Sequence, residues 1–465
     1  MRRNAVDVWK KFLMGSCCIV LGGCAISPPD VQTTVDSVSP QQWETILEEK
    51  NTVAPEVFWA QWNDPQIDTF VEKVLQNSPK VEEALASLQI ARAAVRSANS
   101  VLWPSFSVDA SAGKNRTSGV TLSTYKAGMS AVWEANLAGA QYTRYDAALF
   151  EERAKAWALE QVKDQMVAEV VTAYVNFRAA QLKLQLLEKE LQNYQETAHL
   201  AAWKSQAGLG DQASVETAQV QVENAKVRLV KLQQSLGQYK LALARLLAIP
   251  SDELHLGEGT DLPSPKAHLA VAIPAEVLMR RPDIRSAIET LYARAKTLEA
   301  AQKDFFPSLQ ITGSIGTQAA TVSALGASGT GVGALVAAMS LPVLNWGTLS
   351  AASDQAKAQL AQAQASYRDT LVGALEETGN ALLTVQTTEQ NIPLLQQAQE
   401  HAQKAYQLSR DSYQAGLGDY LSLLEAERNY FSAQENALDN RAAVSNAYVT
   451  LYRVLGGPWT TRQLQ

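Results

Sequence analysis

A chain of 465 residues that is 46% hydrophobic and only 19% charged can bury a large core, in one large or two moderate domains. Its net charge of -7 comes with no cluster of Lys and Arg, which argues against nucleic acid as a partner, because a phosphate backbone selects concentrated positive charge. All three cysteines lie within the first 24 residues, so the body of the protein has neither a disulfide framework nor a cysteine metal site.

The N-terminus reads as a targeting segment over residues 1–23. Arg2, Arg3, Lys10 and Lys11 give a basic start, FLMGSCCIVL an apolar core, and LGGC small residues ahead of Cys24. Small residues before a cysteine resemble the lipobox of bacterial lipoproteins, which implies that Cys24 is acylated. Ala25 follows, and the absence of aspartate there implies the outer membrane. Removing 1–23 takes away four basic residues and Asp7 and leaves a charge of -10.

Residues 24–64 form an N-terminal segment, and then the chain repeats itself. Pro79 and Pro282 each open an apolar-periodic helix, and Pro104 and Pro307 each follow one, at an offset of 203. Gly139 matches Gly347, the pentapeptide AGLGD recurs at 207–211 and 415–419, and Arg245, Leu247 and Pro250 match Arg453, Leu455 and Pro458, all at an offset of 208. The two repeats are 65–250 and 282–457, with a linker at 251–281 and a tail at 458–465. The change of offset falls between Gly316 and Gly347, as expected of a variable loop.

Each repeat reads as helix, β-hairpin, very long helix, break and long helix. The hairpins are placed at 104–139 and 307–347, and the helices at 141–206, 212–248, 349–414 and 420–455. Residues 141–206 contain no proline and would extend roughly 100 Å as one helix, too long for a compact globular domain. Within them Val170, Phe177, Leu184 and Leu191 recur every seven residues, with Val167, Tyr174, Leu187 and Tyr194 in the intervening positions. That period makes helices coil left-handedly around one another. An isolated two-stranded coiled coil fits this stretch equally well but leaves the hairpins unexplained.

In the hairpins the period is two. Phe106, Val108, Ala110 and Ala112 alternate with Ser105, Ser107, Asp109 and Ser111, and Tyr125, Ala127, Met129, Ala131, Trp133, Ala135 and Leu137 return along the oily face. The second repeat offers Leu309, Ile311 and Ile315, then Leu335, Ala337, Met339 and Leu341. These lengths suffice for tilted strands to cross a bilayer. GVGALVAAMSLPVL is apolar on both faces and is also a candidate membrane helix, but Pro342, its glycines and its alignment with the first repeat favour a strand. Four strands cannot close a barrel, so copies must pool them; three copies give twelve strands and four give sixteen. AGLGD then marks the turn-around of each helix pair, where Gly208, Gly210, Gly416 and Gly418 permit a sharp break.

LMRRPDIRSAI, FFPSL, PVLNWG, YLSLLEAER and LGGPW, in that order, together with the lipobox and the duplication, are similar to the TolC-like outer-membrane factors, in particular the lipoprotein branch of drug-efflux channels. The resemblance spans essentially the whole mature chain. It implies a mixed membrane protein: a homotrimer with a twelve-stranded transmembrane β-barrel, four strands per protomer, continued by a long α-helical coiled-coil barrel across the periplasm. Its implied partners are a periplasmic adaptor protein, an inner-membrane pump of RND, MFS or ABC type and outer-membrane lipids. The adaptor would dock on Gly208, Leu209, Gly210 and Asp211 and on Gly416, Leu417, Gly418 and Asp419. By motif alignment the inward acid of the periplasmic aperture falls on Glu425 and its tyrosine on Tyr413. Ser422 stands where some members place a second acid, with Ser214 at the equivalent place in the first repeat, and Gly418 replaces an arginine. Pro393, whose partner at offset 208 is Gln185, is expected to bend its helix and narrow the tube end.

No enzymatic chemistry is expected. His199, His255, His268 and His401 are scattered without metal-ligand spacing, there is no nucleophile elbow, and the glycine-rich 326–333 lacks the Lys-Ser or Lys-Thr of a phosphate loop. No cofactor or metal is expected. The leading function is a passive exit duct for drugs and other small amphipathic solutes. A type I secretion channel, a metal-ion efflux channel and a non-conducting structural lipoprotein are the alternatives.

Overall fold

The computed structural model describes residues 30–38, 52–53, 62, 64–257, 261–265, 268–269, 278–343 and 345–457. In chain order these form α1 (Val31–Val38), β1 (Thr52–Val53), α2 (Pro65–Asn77), α3 (Pro79–Ser100), β2 (Ser105–Thr117), β3 (Val120–Asn136), α4 (Ala140–Gln206), α5 (Gln212–Leu246) and β4 (His268–Leu269). There follow α6 (Pro282–Lys303), β5 (Ser308–Ala319), β6 (Gly331–Ser340), α7 (Trp346–Gln414) and α8 (Tyr420–Val454). The sequence pattern starts the first long helix one residue later than the observed Ala140 and the second three residues later than Trp346. The Trp346 indole donates to the Pro342 carbonyl at 3.1 Å, which secures the earlier start of α7.

Two compact units divide the chain. One combines Ala86–Trp157 and Arg285–Thr370 with the described residues before Val35. Its centre is a four-stranded antiparallel sheet in the order β2-β3-β5-β6. Pairing Phe106 with Ala131, Val108 with Met129 and Met129 with Ile315 puts the oily residues of three strands on one face. Phe106, Val108, Met129, Ile315, Leu335 and Met339 are all exposed there. On the other face Ser130 donates to Asp109 at 2.9 Å, and its hydroxyl lies 2.7 Å from that of Ser107. The alternation read from the sequence is thus the alternation of the pleat. Residues 331–340 lie in the sheet as β6, and among the described residues no helix is long and apolar enough to cross a membrane.

Turn chemistry differs between the hairpins. Ser118 and Gly119, at φ 53° and 85°, make a two-residue turn between β2 and β3, the geometry that matches strand twist. Residues 320–330 connect β5 to β6, so the extra length of the second repeat falls in this loop. Gly128 and Gly316 face each other at the seam between the hairpins. A Cβ on Gly316 would lie 2.5 Å from the Ala127 carbonyl oxygen, and one on Gly128 would lie 2.7 Å from that of Ile315. Only glycine permits backbones to approach this closely. Where the sheet hands over to helix, Asn136 acts as a junction: its amide donates to the Lys303 and Phe306 carbonyls at 3.0 and 3.3 Å, and its oxygen accepts from Ala138 at 2.9 Å.

The second unit comprises Val35–Leu85, Ala158–Ile284 and Leu371–Gln465, of which the described residues are considered. Its core follows the seven-residue period: Val167, Val170, Tyr174, Phe177, Leu187 and Tyr194 are buried along α4, with Leu371, Ala374, Leu382 and Val385 on α7 and Tyr448, Leu451 and Tyr452 on α8. Leu184 and Leu191 are half-buried. Two arginines tie irregular segments to these helices. Buried Arg178 donates to the Tyr174 hydroxyl at 2.8 Å, to Gln66 at 3.0 Å and to the Gly257 carbonyl at 2.5 Å, while Tyr174 itself donates to Asp64 at 2.9 Å. Arg281 is held between Asp283 at 2.7 Å and Glu377 at 2.8 Å and donates to the last-turn carbonyl of Val454 at 3.2 Å. Each arginine buries one charge with its countercharge or a ring of acceptors, the condition under which such burial is tolerated.

Candidate functional site at the turns between the long helices

Both long helices end by the same device. Leu209 N donates to the Lys204 carbonyl at 2.8 Å and Gly208 N to that of Ser205 at 3.0 Å; Leu417 N donates to the Ser412 carbonyl at 2.9 Å and Gly416 N to that of Tyr413 at 3.1 Å. This crossed pair of bonds is the Schellman motif, and it requires a left-handed residue at the helix end. Gly208 and Gly416 supply it at φ 71° and 78°. Gly210 and Gly418 serve packing instead: a Cβ there would come 3.4 Å from that of Lys204 or 3.2 Å from that of Ser412.

The next helices start on aspartate. Asp211 accepts from the Ser214 amide at 2.7 Å, and Asp419 accepts from the Ser422 amide and hydroxyl, each at 2.8 Å. These are N-caps, and the bonds from Ser214 and Ser422 hold both carboxyls below their ordinary pKa. Ser214 and Ser422, singled out as neutral replacements for an aperture acid, therefore have a local task in closing the turns.

A Schellman turn ordinarily packs its apolar residue after the glycine against the helix it ends. Here the facing positions are Lys204 and Ser412, and the leucines turn outward: Leu209 is 79% exposed and Leu417 87%. Trp203 and Leu421 are exposed beside them. Both turns thus present bare leucine, an arrangement suited to burial against another protein.

Behind the turns Tyr194, Ala198, Ala201, Ala218, Val222, Tyr406, Tyr413, Tyr420 and Leu423 pack into one cluster. Tyr413 is buried, lies edge-on to Tyr420 with ring centroids 6.1 Å apart, and carries the Lys204 ammonium 4.0 Å above its ring. Lys204 also donates to the Tyr413 carbonyl. One cation therefore bolts the end of α4 to the end of α7 through a ring face and a helix C-terminus, both of which attract positive charge. Sequence reasoning missed Lys204; the available signal was a lysine in the last helical turn.

Glu425 is exposed on α8, and Glu427, two residues on, is not. Glu427 has 0% exposure, and neither carboxylate oxygen has a hydrogen bond of good geometry, although the Thr197 hydroxyl lies beside it. Burial, reinforced by the charge of Glu190, pushes its pKa up to about 8. Glu190 is itself buried and paired with Arg228. Glu427 is a second residue that sequence reasoning passed over.

Pro393 is exposed within α7, which continues through it. Close before it the Thr388 carbonyl accepts from Asn440 at 2.9 Å, and Glu389 accepts from the Tyr448 hydroxyl at 2.5 Å. The stretch where proline withdraws a donor is thus tied to α8. His199, His255 and His401 are exposed, and among the described residues no His, Cys, Asp and Glu group has a metal-binding arrangement. Cys24 and the tail 458–465 lie outside the described residues, and His268 belongs to the backbone of β4. The site assembles hydrophobic and hydrogen-bonding surface, not reactive groups.

A family model described as outer membrane efflux protein matches residues 70–248 and 273–457. The chain belongs to the outer membrane efflux protein family. It is 30% identical over 460 residues to the toluene efflux pump outer membrane protein TtgC of Pseudomonas putida, covering 95% of this chain and 94% of that one. It is 27% identical over 460 residues to the cation efflux system protein CusC of Escherichia coli, covering 97% and 99%. The solved structure of the outer-membrane channel OprN superposes with a TM-score of 0.85 at 27% identity, covering 94% of this chain and 98% of that one. This outer membrane efflux protein is accordingly a passive channel component and not an enzyme.

Proposed function

We propose that three copies of this efflux protein pool their sheets into a twelve-stranded barrel and their helices into a tube, held to the outer membrane also by an acylated Cys24. Drugs and other small amphipathic solutes leave through it passively. The observation that supports this reading is the pair of open edges: among the described residues β2 and β6 each pair on one side only. An edge facing lipid strands its backbone groups without hydrogen bonds, and four strands fall short of the roughly eight of the smallest membrane barrels. A second copy's β6 against β2 satisfies both edges at once, and the rotation that joins two copies closes the ring with the third.

Energy then comes from an inner-membrane pump of RND, MFS or ABC type through a periplasmic adaptor. The adaptor docks on the two AGLGD turns, where Leu209 and Leu417 offer apolar surface. Tyr413 and Glu425, with Ser214 and Ser422 nearby, border the aperture, and the pair α7 and α8 moves about Pro393 when it opens. Purified protein in planar bilayers is expected to conduct and, in mild detergent, to have the mass of three copies. Solitary, non-conducting material would end this reading. A second reading follows from the likeness to CusC: the cargo is a cation. Complementation of a channel-deficient strain, scored for drug tolerance beside cation tolerance, separates the two.

A further inference from the structure

The charges of the sheet are divided between its faces. From 105 to 136 and from 308 to 340 the charged residues are Asp109, Lys114, Arg116, Lys126 and Glu134. The register puts Asp109 opposite Gly128, Lys126 opposite Ser111 and Gln318, and Glu134 opposite Gln310, all on the hydroxyl-bearing face. Lys114 and Arg116 fall on the other face, in line with Phe106, Val108, Ala110 and Ala112, opposite Ser123 and Thr121. Both are exposed, and among the described residues neither makes an ion pair with a carboxylate. The second hairpin and its loop 320–330 carry no charge at all.

Their height on that face is fixed by counting rungs. Leu309 pairs with Ala135 and Met339, Ile311 with Trp133, and so upward through Met129 to Tyr125 beside Ala112. From Ala135 to Tyr125 is ten residues, about 34 Å along a strand and about 26 Å in height at the usual tilt of membrane strands. That is the height of an apolar band, with Trp133 near its lower rim and Tyr125 at the upper rim, where aromatic girdles sit. Lys114 and Arg116 lie one and two same-face rungs beyond Tyr125, about 5 and 10 Å higher. At that level the neighbours of a lipid-facing side chain are headgroups, and a cation beside them finds phosphate oxygens.

We propose that Lys114 and Arg116 form a binding site for the phosphate groups of an anionic lipid in the outer leaflet, one site per chain, confined to the first hairpin. This rests on the barrel reading above, because it needs the oily face to meet lipid. Commitment to a lipid, and not to free phosphate, follows from the continuity of the two cations with the apolar band: an acyl chain against Val108 and Ala112 carries its headgroup to Lys114.

The test titrates full-length protein in non-ionic detergent with bisphosphorylated lipid A, read by native mass spectrometry, for wild type, the double variant Lys114→Gln and Arg116→Gln, and the control Lys126→Gln on the opposite face. Both changed side chains of the double variant are exposed, so the fold is unaffected. Lipid A is expected to bind the double variant about thirtyfold more weakly than wild type, with Lys126→Gln unchanged and inorganic phosphate failing to compete. Equal retention by wild type and double variant overturns the proposal, and so does competition by inorganic phosphate at the concentration of the lipid. Single-channel conductance recorded on the same samples separates the failures. A conducting wild type with equal retention refutes only the lipid site, whereas a wild type that never conducts refutes the barrel.

Discussion

Replacing Glu427 by Gln removes a proton-binding group from the core behind the turns while nearly preserving its shape. An unfolded glutamate titrates near 4.5, whereas folded Glu427 holds its proton to about pH 8, first because it is buried and next because Glu190 faces it; Glu196 adds to this, and Arg410 and Thr197 oppose it. A pKa raised by folding contributes stability that is whole below the unfolded value and is lost as pH climbs through the folded one. Over the interval from pH 5 to 8.5 the difference in bound protons amounts to about 4 kcal/mol, or roughly five-hundredfold in the opening equilibrium. The assay is amide hydrogen exchange of segments 190–201 and 420–431, corrected for the intrinsic pH dependence of exchange. Wild-type protection is expected to fall by up to that factor relative to Glu427→Gln, whose own profile is flat over the same range. Parallel profiles in the two proteins would refute the claim that Glu427 is folded in its protonated form.

Leu209→Asp together with Leu417→Asp changes only exposed side chains, so the yield and melting of the purified protein are expected to stay within experimental scatter while drug tolerance in complemented cells falls to the level of the channel-deficient strain. Lys204→Ala removes the bolt between α4 and α7; the expected outcome is a higher open probability in planar bilayers, and unchanged gating would show that the contact only packs the turn. Gly416→Ala forces a β-carbon onto a left-handed residue and should weaken local protection at 412–420 by about 1 kcal/mol. Pro393→Ala restores a helical hydrogen bond and is expected to alter single-channel conductance; an unchanged value would dissociate Pro393 from opening.

Much of this architecture is legible because two periods are written plainly in the chain. A seven-residue apolar repeat from Val167 to Tyr194 specifies a helix with a buried seam, and the alternation from Ser105 to Ala112 specifies a strand with two unlike faces. AGLGD discloses its role because glycine and aspartate do their work locally, as C-cap and N-cap. What escapes the sequence depends on which helices meet. Lys204 reaches Tyr413, but at the repeat offset Lys204 corresponds to Ser412, so comparing the repeats hides the contact. Glu427 is a charged residue on a helix, which pattern reading assigns to solvent; its burial arises only where α8 meets α4, whose Tyr194 lies against Phe431 of α8 with ring centroids 6.2 Å apart. Motif alignment selected Glu425, which this chain leaves exposed.

The contact between Gly128 and Gly316 bears on how assembly can begin. With no β-carbon between them, β3 and β5 approach each other at this rung more closely than any side chain would allow, which locks the two hairpins together within one chain. In the barrel proposed above, a methyl group at either position pushes the hairpins apart at their seam and is expected to lower the yield of closed assemblies.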